Sequence, residues 1–327
     1  MNGYINYKGQ WGYHPLVVSL ANTGEPLYVV NRPGNRPSHE QAAWYFDRAI
    51  EVCRKGGFRK ILLRGDTDFT QTAQLDHWDK DGVKFIFGID ATDKLNGLAA
   101  ELPPEAWKTL IRRVKKAVKT ERRARRANVK QQIVEARQFE DIRTVEEHVA
   151  EFPYQPQKCV KPYRLVAVWK DQEVYRGQKM LFDTARCFFY ITNVEEKPVE
   201  EIVFAANDRC GQENLLGVQK DDVRSLTAPL DNLYSNWAYM VMAMLAWSLK
   251  AWSALMLPET GRWKEKHREE KRRLLRMEFS TFRQALVNIP AQIFRTGRKI
   301  VNRLLAWNPW QNVFFRLLDQ LTRPLKC

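Results

Sequence analysis

Up to Asp90 the apolar positions fall into short blocks separated by turn chemistry, in the order hairpin, helix, strand, helix, strand. Tyr13 to Leu20 (YHPLVVSL) and Pro26 to Val30 (PLYVV) are two apolar runs of strand length joined by ANTGE. Asn22, Thr23 and Gly24 supply the turn, which predicts a hairpin. NRPGNRPS breaks the pattern as a Pro/Gly loop, with Ser38 placed to cap the following helix. In HEQAAWYFDRAIEVCRKGG, Ala43, Phe46, Ile50 and Cys53 recur at helical spacing, and Gly56-Gly57 stop the run. Phe58 to Leu63 predicts a strand, Gln71 to Asp81 a short helix, and Val83 to Asp90 (VKFIFGID) a buried strand. This alternation predicts a mixed α/β sheet in which the strand after the helix runs parallel to a neighbour.

The pattern then changes. After Leu102-Pro103-Pro104 comes WKTLIRRVKKAVKTERRARRANVK (Trp107 to Lys130), in which Glu121 is the only acid and Leu110, Val114 and Val118 form a thin apolar stripe. Strand-like runs follow at Tyr163 to Lys170 and Cys187 to Asn193, so residues 97–196 read as a partly β insertion with a basic surface. A helical pattern resumes after Pro198. Leu233 to Leu257 is long enough to span a membrane, yet Ser235, Asn236, Ser248, Lys250 and Ser253 are spread through it. A buried amphipathic helix explains that mixture better than a spanning one. Glu259 to Cys327 reads as a basic helical arm containing RWKEKHREEKRRLLR and FRTGRKIVNRLLAW. The expected organisation is therefore a first part of a core (1–96), an insertion (97–196), a second part of the core (197–257) and the arm (258–327).

Charge narrows the class of partner. Lys and Arg total 53 against 38 acids in 327 residues, a formal net charge of +15 with a pI near 9.6. Such a surplus favours a polyanion: DNA, RNA or an acidic membrane surface. A hydrophobic fraction of 44% excludes a disordered chain. The five cysteines are scattered without CxxC spacing, which argues against a zinc ribbon or disulfide framework and for a reducing compartment. No HExxH pair is present, and MNGYINYKGQWGYHPL lacks the apolar core of a signal peptide.

Two stretches carry candidate chemistry. ILLRGDTDF (Ile61 to Phe69) delivers Asp66 directly after an aliphatic strand, with Gly65 allowing close backbone approach. Asp68 lies two residues on. On the residues alone, either aspartate also reads as a turn or cap residue. In NDRCGQENLLGVQK (Asn207 to Lys220), Arg209, Glu213 and Lys220 are four and seven residues apart, one face of a helix. By itself that is an ordinary i,i+4 pair on a solvated face.

Together these segments resemble the DDE-class bacterial insertion-sequence transposases, in the branch with a Tyr-x2-Arg-x3-Glu-x6-Lys signature. Arg209, Glu213 and Lys220 match its Arg, Glu and Lys, and RGDTDF is similar to the segment around the family's second acid, Asp66 here. GYHPLVVSLAN, NRPGNRPSH, NDRCGQEN and DNLYSNWAYM look most like the branch named for insertion sequence 1380. The resemblance implies an RNase H-like fold and metal-dependent DNA cleavage and strand transfer at terminal inverted repeats. It implies two Mg2+ (or Mn2+) ions on Asp66 and Glu213, and phosphate contacts from Arg209 and Lys220. It further implies double-stranded DNA as partner, a homo-oligomer on that DNA, no membrane, and a place in the bacterial cytoplasm at the nucleoid. Two departures stand out. Ala206 occupies the tyrosine position, and no aspartate precedes Asp47, so the family's first strand and its aspartate are missing and the chain reads as N-terminally truncated. A second reading follows from that loss: a transposase remnant that binds DNA without cutting it. Arg112, Arg113, Lys115, Lys116, Arg122 and Arg123 in the basic run are the expected phosphate contacts along a duplex. Arg262 to Arg276 is a weaker candidate because Glu265, Glu269 and Glu270 interleave with its cations, and Trp307 and Trp310 read as packing residues before base-stacking ones.

Overall fold

The computed structural model describes residues 3–5, 9–112, 137, 140–176, 179–208, 210–305 and 307–322. Its backbone groups into two compact units, Ile50–Arg209 and Met1–Ala49 with Cys210–Cys327. The strands are β1 (Gly3–Ile5), β2 (Gln10–Gly12), β3 (Leu16–Leu20), β4 (Glu25–Val30), β5 (Leu62–Gly65), β6 (Lys84–Ile89), β7 (Lys108–Thr109), β8 (Glu140–Tyr154), β9 (Tyr163–Arg176), β10 (Lys179–Thr192), β11 (Ala291–Thr296) and β12 (Lys299–Leu304). The helices of six or more residues are α1 (Ala42–Lys55), α2 (Leu75–Lys80), α3 (Asp93–Ala100), α4 (Val199–Asn207), α5 (Cys210–Asp221), α6 (Leu233–Met256), α7 (Lys264–Arg276) and α8 (Gln311–Leu321).

The unit of residues 50–209 is built on a sheet of order β5-β6-β10-β9-β8-β7. Only β5 and β6 run parallel, Leu63 opposite Phe85 and Gly65 opposite Phe87; the other pairings are antiparallel. The mixed sheet expected from the sequence is present. Strand β6 is buried on both faces, and its alternation divides the packing. Phe87 meets Trp78 of α2, ring centroids 5.8 Å apart, while Ile86 joins Val199, Ile202 and Val203 of α4 in one cluster. The end of β10 is tied to β6 by buried polar groups. Asn193 Nδ2 donates to Asp79 Oδ1 (2.7 Å) and the Val83 carbonyl (2.9 Å), and Asn193 Oδ1 accepts from the Phe85 amide (2.9 Å). Every buried polar atom of that asparagine is thereby satisfied, as burial requires. The long strands from residues 97–196 continue the sheet that carries β5 and β6, so this stretch shares a sheet with the segment before it.

In the other unit β3 and β4 form the expected hairpin, Leu16 opposite Val30, as a separate two-stranded sheet. Helix α1 begins at Ala42, later than a Ser38 cap requires, because Arg32 holds the preceding loop. The buried Arg32 guanidinium donates to the carbonyls of His14 (3.0 Å), Pro37 (3.2 Å), Ser38 (3.3 Å) and Glu40 (2.8 Å). Helix α6 is long and apolar enough to cross a membrane by length and composition. One side of it packs against β4, α7 and α8, with Trp247 and Ala254 in a core shared with Leu274, Phe279, Phe282, Leu286, Val313 and Leu317, while Val241, Met242, Leu245, Leu249 and Trp252 are exposed. Its one charged residue, Lys250, is buried. The Lys250 ammonium donates to the Leu275 carbonyl (3.0 Å) and to that of Met277, and lies 3.9 Å from the Trp247 ring centre. The last turn of α7 leaves those carbonyls without helical partners, so Lys250 caps α7 from below.

The C-terminal arm departs from the all-helical expectation. Residues 291–304, which include most of FRTGRKIVNRLLAW, form the β11–β12 hairpin, Ala291 opposite Leu304 and Thr296 opposite Lys299. Two causes are legible in retrospect. Gly297 takes the left-handed backbone (φ 57°) of a tight two-residue turn, and Ile293, Phe294, Ile300 and Val301 are β-formers on either side of it.

Candidate functional site

Asp66 follows β5 immediately. The chain stays extended there (φ −83°, ψ −170°) and then closes into a 3-10 turn, Thr67–Phe69, whose first residues Asp66 precedes without a side-chain capping bond. The Phe69 amide donates to the Asp66 carbonyl at 3.1 Å, and Thr70 Oγ1 donates to the Gly88 carbonyl. Two glycines set the closeness of this turn to β6. A Cβ at Gly65 would lie 2.9 Å from Phe69 Cβ and 3.0 Å from Phe87 Cδ1, and one at Gly88 would lie 3.1 Å from the Thr67 amide nitrogen. Side chains at either position would push the Asp66 turn away from the sheet. Asp66, the aspartate that the resemblance selects, is half-buried, while Asp68 is exposed. Asp90 ends β6 as Asp66 ends β5, so two parallel neighbours each deliver a carboxylate at their carboxyl ends, the edge where α/β sheets place ligands. The sequence held that clue, since VKFIFGI runs into Asp90 as ILLRG runs into Asp66.

Helix α4 packs behind this edge. Arg64 of β5 donates from Nη1 to the Ala205 carbonyl (3.0 Å). Ala206, at the position of the signature's tyrosine, is buried within the α4–sheet cluster at 4% exposure, and Tyr190 Oη reaches Asn207 Oδ1 from β10 (3.4 Å).

Glu213 stands exposed in the first turn of α5, and Lys220 exposed in its last turn. Each charge suits its end of the helix dipole. Seven residues separate them, about 10 Å along the axis, on one face. The adjoining face is fastened: Gln212 Nε2 donates to the Val17 carbonyl (3.1 Å), Ser19 Oγ donates to Gln212 Oε1 (2.6 Å), and Ser225 Oγ donates to Gln219 Oε1 (2.8 Å). Between Glu213 and Lys220 on the outward face lies Gly217, where a Cβ would meet nothing within 4 Å. Sequence reasoning passed over this glycine. In a helix interior it costs about 1 kcal/mol relative to alanine, and no neighbour among the described residues demands it.

Asp66 belongs to the unit of residues 50–209 and Glu213 to the other. Both supply the hard oxygen donors that Mg2+ takes. Among the described residues no group of three or more His, Cys, Asp or Glu side chains is arranged to hold a metal ion. Of the expected phosphate contacts, Arg112 is engaged inside its own unit: its Nη2 lies 3.1 Å from Glu147 Oε1, and Glu147 also binds Lys170 (2.9 Å). The hydrogen bond to Glu147 raises the Arg112 pKa. This charge is paired with a carboxylate of its own unit. The run's first residues, Lys108 and Thr109, form a short strand paired with β8. Arg113, Lys115, Lys116, Arg122, Arg123 and Arg209 lie outside the described residues. Trp310 packs against the core under Arg273 (5.1 Å), whereas Trp307 is 83% exposed.

The family model for the transposase DDE domain, group 1, matches residues 1–326. No curated protein matches the chain.

Proposed function

Because the chain belongs to the transposase DDE domain group 1 family, a family that acts on DNA with divalent metal, we propose that it cuts and joins DNA at the terminal inverted repeats of an insertion sequence. Within that family we assign it to the branch carrying the Arg, Glu and Lys signature, with an RNase H-like core. The observation that carries this reading is Asp66, half-buried at the carboxyl tip of β5 beside a parallel strand, with Gly65 and Gly88 holding its turn against the sheet.

Asp66 and Glu213 are the residues that would hold Mg2+ or Mn2+. The bound ions would supply activation of the attacking oxygen and charge neutralisation at the leaving one. The protein's own part is positioning. Asp66 sits on a turn that cannot move away from the sheet without opening the contacts of Phe69 and Phe87. Lys220, and Arg209 by its spacing, would neutralise phosphates on the face of Glu213. Gly217 leaves that face low, so a sugar-phosphate backbone can lie across it. The reaction would take place on a homo-oligomer bound to duplex DNA in the bacterial cytoplasm.

The test is strand transfer on an inverted-repeat duplex with Mg2+ or Mn2+. Asp66→Asn and Glu213→Gln should each lower the rate by about a hundredfold or more while duplex binding is retained. Gly217→Ala should stabilise the fold by about 0.5–1 kcal/mol and still slow transfer. Undiminished transfer by Asp66→Asn would sink the assignment. A wild-type chain that binds the duplex but cuts it with neither metal would leave a DNA-binding role alone.

A further inference from the structure

We propose that the β11–β12 hairpin is a DNA-gripping ribbon that enters a groove of the duplex; this rests on the reading that the chain handles DNA. Among the described residues the hairpin is paired to no third strand, and most of its residues are exposed on both faces. Its register divides the side chains. One face carries Gln292, Phe294, Thr296, Lys299, Val301 and Arg303, and the other carries Ile293, Arg295, Ile300 and Asn302, with Arg298 at the tip. Cations therefore point from both faces and from the turn, as a ribbon lying between two walls of phosphate would need. A major groove is wide enough to admit a two-stranded ribbon.

Charge complementarity selects the occupant. No aspartate or glutamate occurs from Phe279 to Leu318. Among the described residues no ion pair engages Arg295, Arg298, Lys299 or Arg303; Arg303 only overlies the Phe294 ring at 5.3 Å. Cations on a ribbon can also guard its edges against strand pairing, but a guard works with charges of either sign and does not require an acid-free run. Ile293 and Ile300, 70% and 63% exposed on one face, gain from contact with sugars and thymine methyls and gain nothing in water. The ribbon's base is held in place: the Leu305 amide donates to the Pro290 carbonyl (2.9 Å), and Asn308 Nδ2 to the Ala285 carbonyl (2.7 Å). A two-stranded hairpin without further burial is marginal in water; a partner that covers it supplies what the fold does not.

The experiment compares the full chain with the variant Arg295→Gln/Arg298→Gln/Lys299→Gln/Arg303→Gln, titrated against duplex DNA over a series of salt concentrations. Four phosphate contacts predict a logarithmic salt slope shallower by roughly three to four and at least about tenfold weaker binding at low salt. Circular dichroism melting should be unchanged, because the four side chains are exposed. An unchanged slope with wild-type affinity overturns the ribbon while leaving DNA handling intact. No duplex binding by the wild type overturns the underlying reading as well. Equal losses on single-stranded DNA of the same length overturn groove entry. If the variant loses an oligomer that the wild type forms without DNA, the ribbon is a contact between copies and the proposal fails.

Discussion

Helix α7 and the β11–β12 ribbon are neighbours in sequence, and both are rich in cations, yet the fold treats them in opposite ways. Along α7, Arg268 pairs with Glu265 (3.0 Å) and Glu259 (3.2 Å), Lys271 with Glu259 (3.2 Å), Arg272 with Glu269, and Arg316 of α8 with Glu270. Its inner side buries Leu274, and Lys250 closes its C-terminal carbonyls from α6. The ribbon has neither internal acids nor a core. A count of basic residues alone would rank α7 first as a nucleic-acid contact. Pairing reverses the order, since a charge already matched by a carboxylate must lose that partner before it meets a phosphate.

The largest expected effect lies in the anchoring of α7. Lys250→Ala removes the methylenes packed beside Trp247 and strips two helix-end carbonyls, which should cost about 2–4 kcal/mol, read by denaturant unfolding at neutral pH. Burial pulls the Lys250 pKa from 10.5 down to about 8. The unfolded chain then binds more protons between those values, so stability should rise as pH climbs from about 8 towards 10.5. Lys250→Met should flatten that slope; a slope that persists in the variant belongs to another group.

An intermediate effect comes from exchanging the charge devices of the two regions. Glu265→Gln with Glu269→Gln leaves Arg268 and Arg272 less matched and should raise duplex affinity by about threefold to tenfold, with a steeper salt slope. Placing Thr296→Glu and Asn302→Glu in the ribbon, one on each face, should lower affinity by about tenfold. If neither exchange moves binding, pairing is not what separates the two regions. The smallest effect is expected at Gly297. Its left-handed backbone (φ 57°) makes Gly297→Ala cost about 1 kcal/mol locally. Because the ribbon stands outside the core, amide exchange in residues 291–304 should accelerate while the global melting temperature barely moves.

Much of the site's local frame was legible in the chain. The hairpin and the helical spacing of Glu213 and Lys220 follow from short-range pattern and turn residues, whereas the strand before Asp66 runs Leu62–Gly65, later than the expected Phe58 to Leu63. The preference for Asp66 over Asp68 came from the family resemblance rather than from local pattern, and the fold adds only that Asp66 is half-buried and Asp68 exposed. Ser38 failed as a helix cap because Arg32, several residues upstream, takes the carbonyls of that loop. The ribbon was missed because FRTGRKIVNRLLAW satisfies a helical charge pattern and a strand pattern alike until Gly297 is seen in a left-handed turn.

By itself the sequence determined the cationic surplus, the order of apolar blocks and the residue types able to bind phosphate or metal, since these depend on composition and on spacing along one element. Only the tertiary structure decided which cations remain available. Arg112 and Arg268 were spent on carboxylates brought to them by folding, Glu147 from a strand far along the chain and Glu259 from beyond the helix start. Arg295, Arg298, Lys299 and Arg303 were left facing solvent. Coulomb energy falls with distance, and the distances that matter lie between groups the backbone makes neighbours, which no linear pattern records.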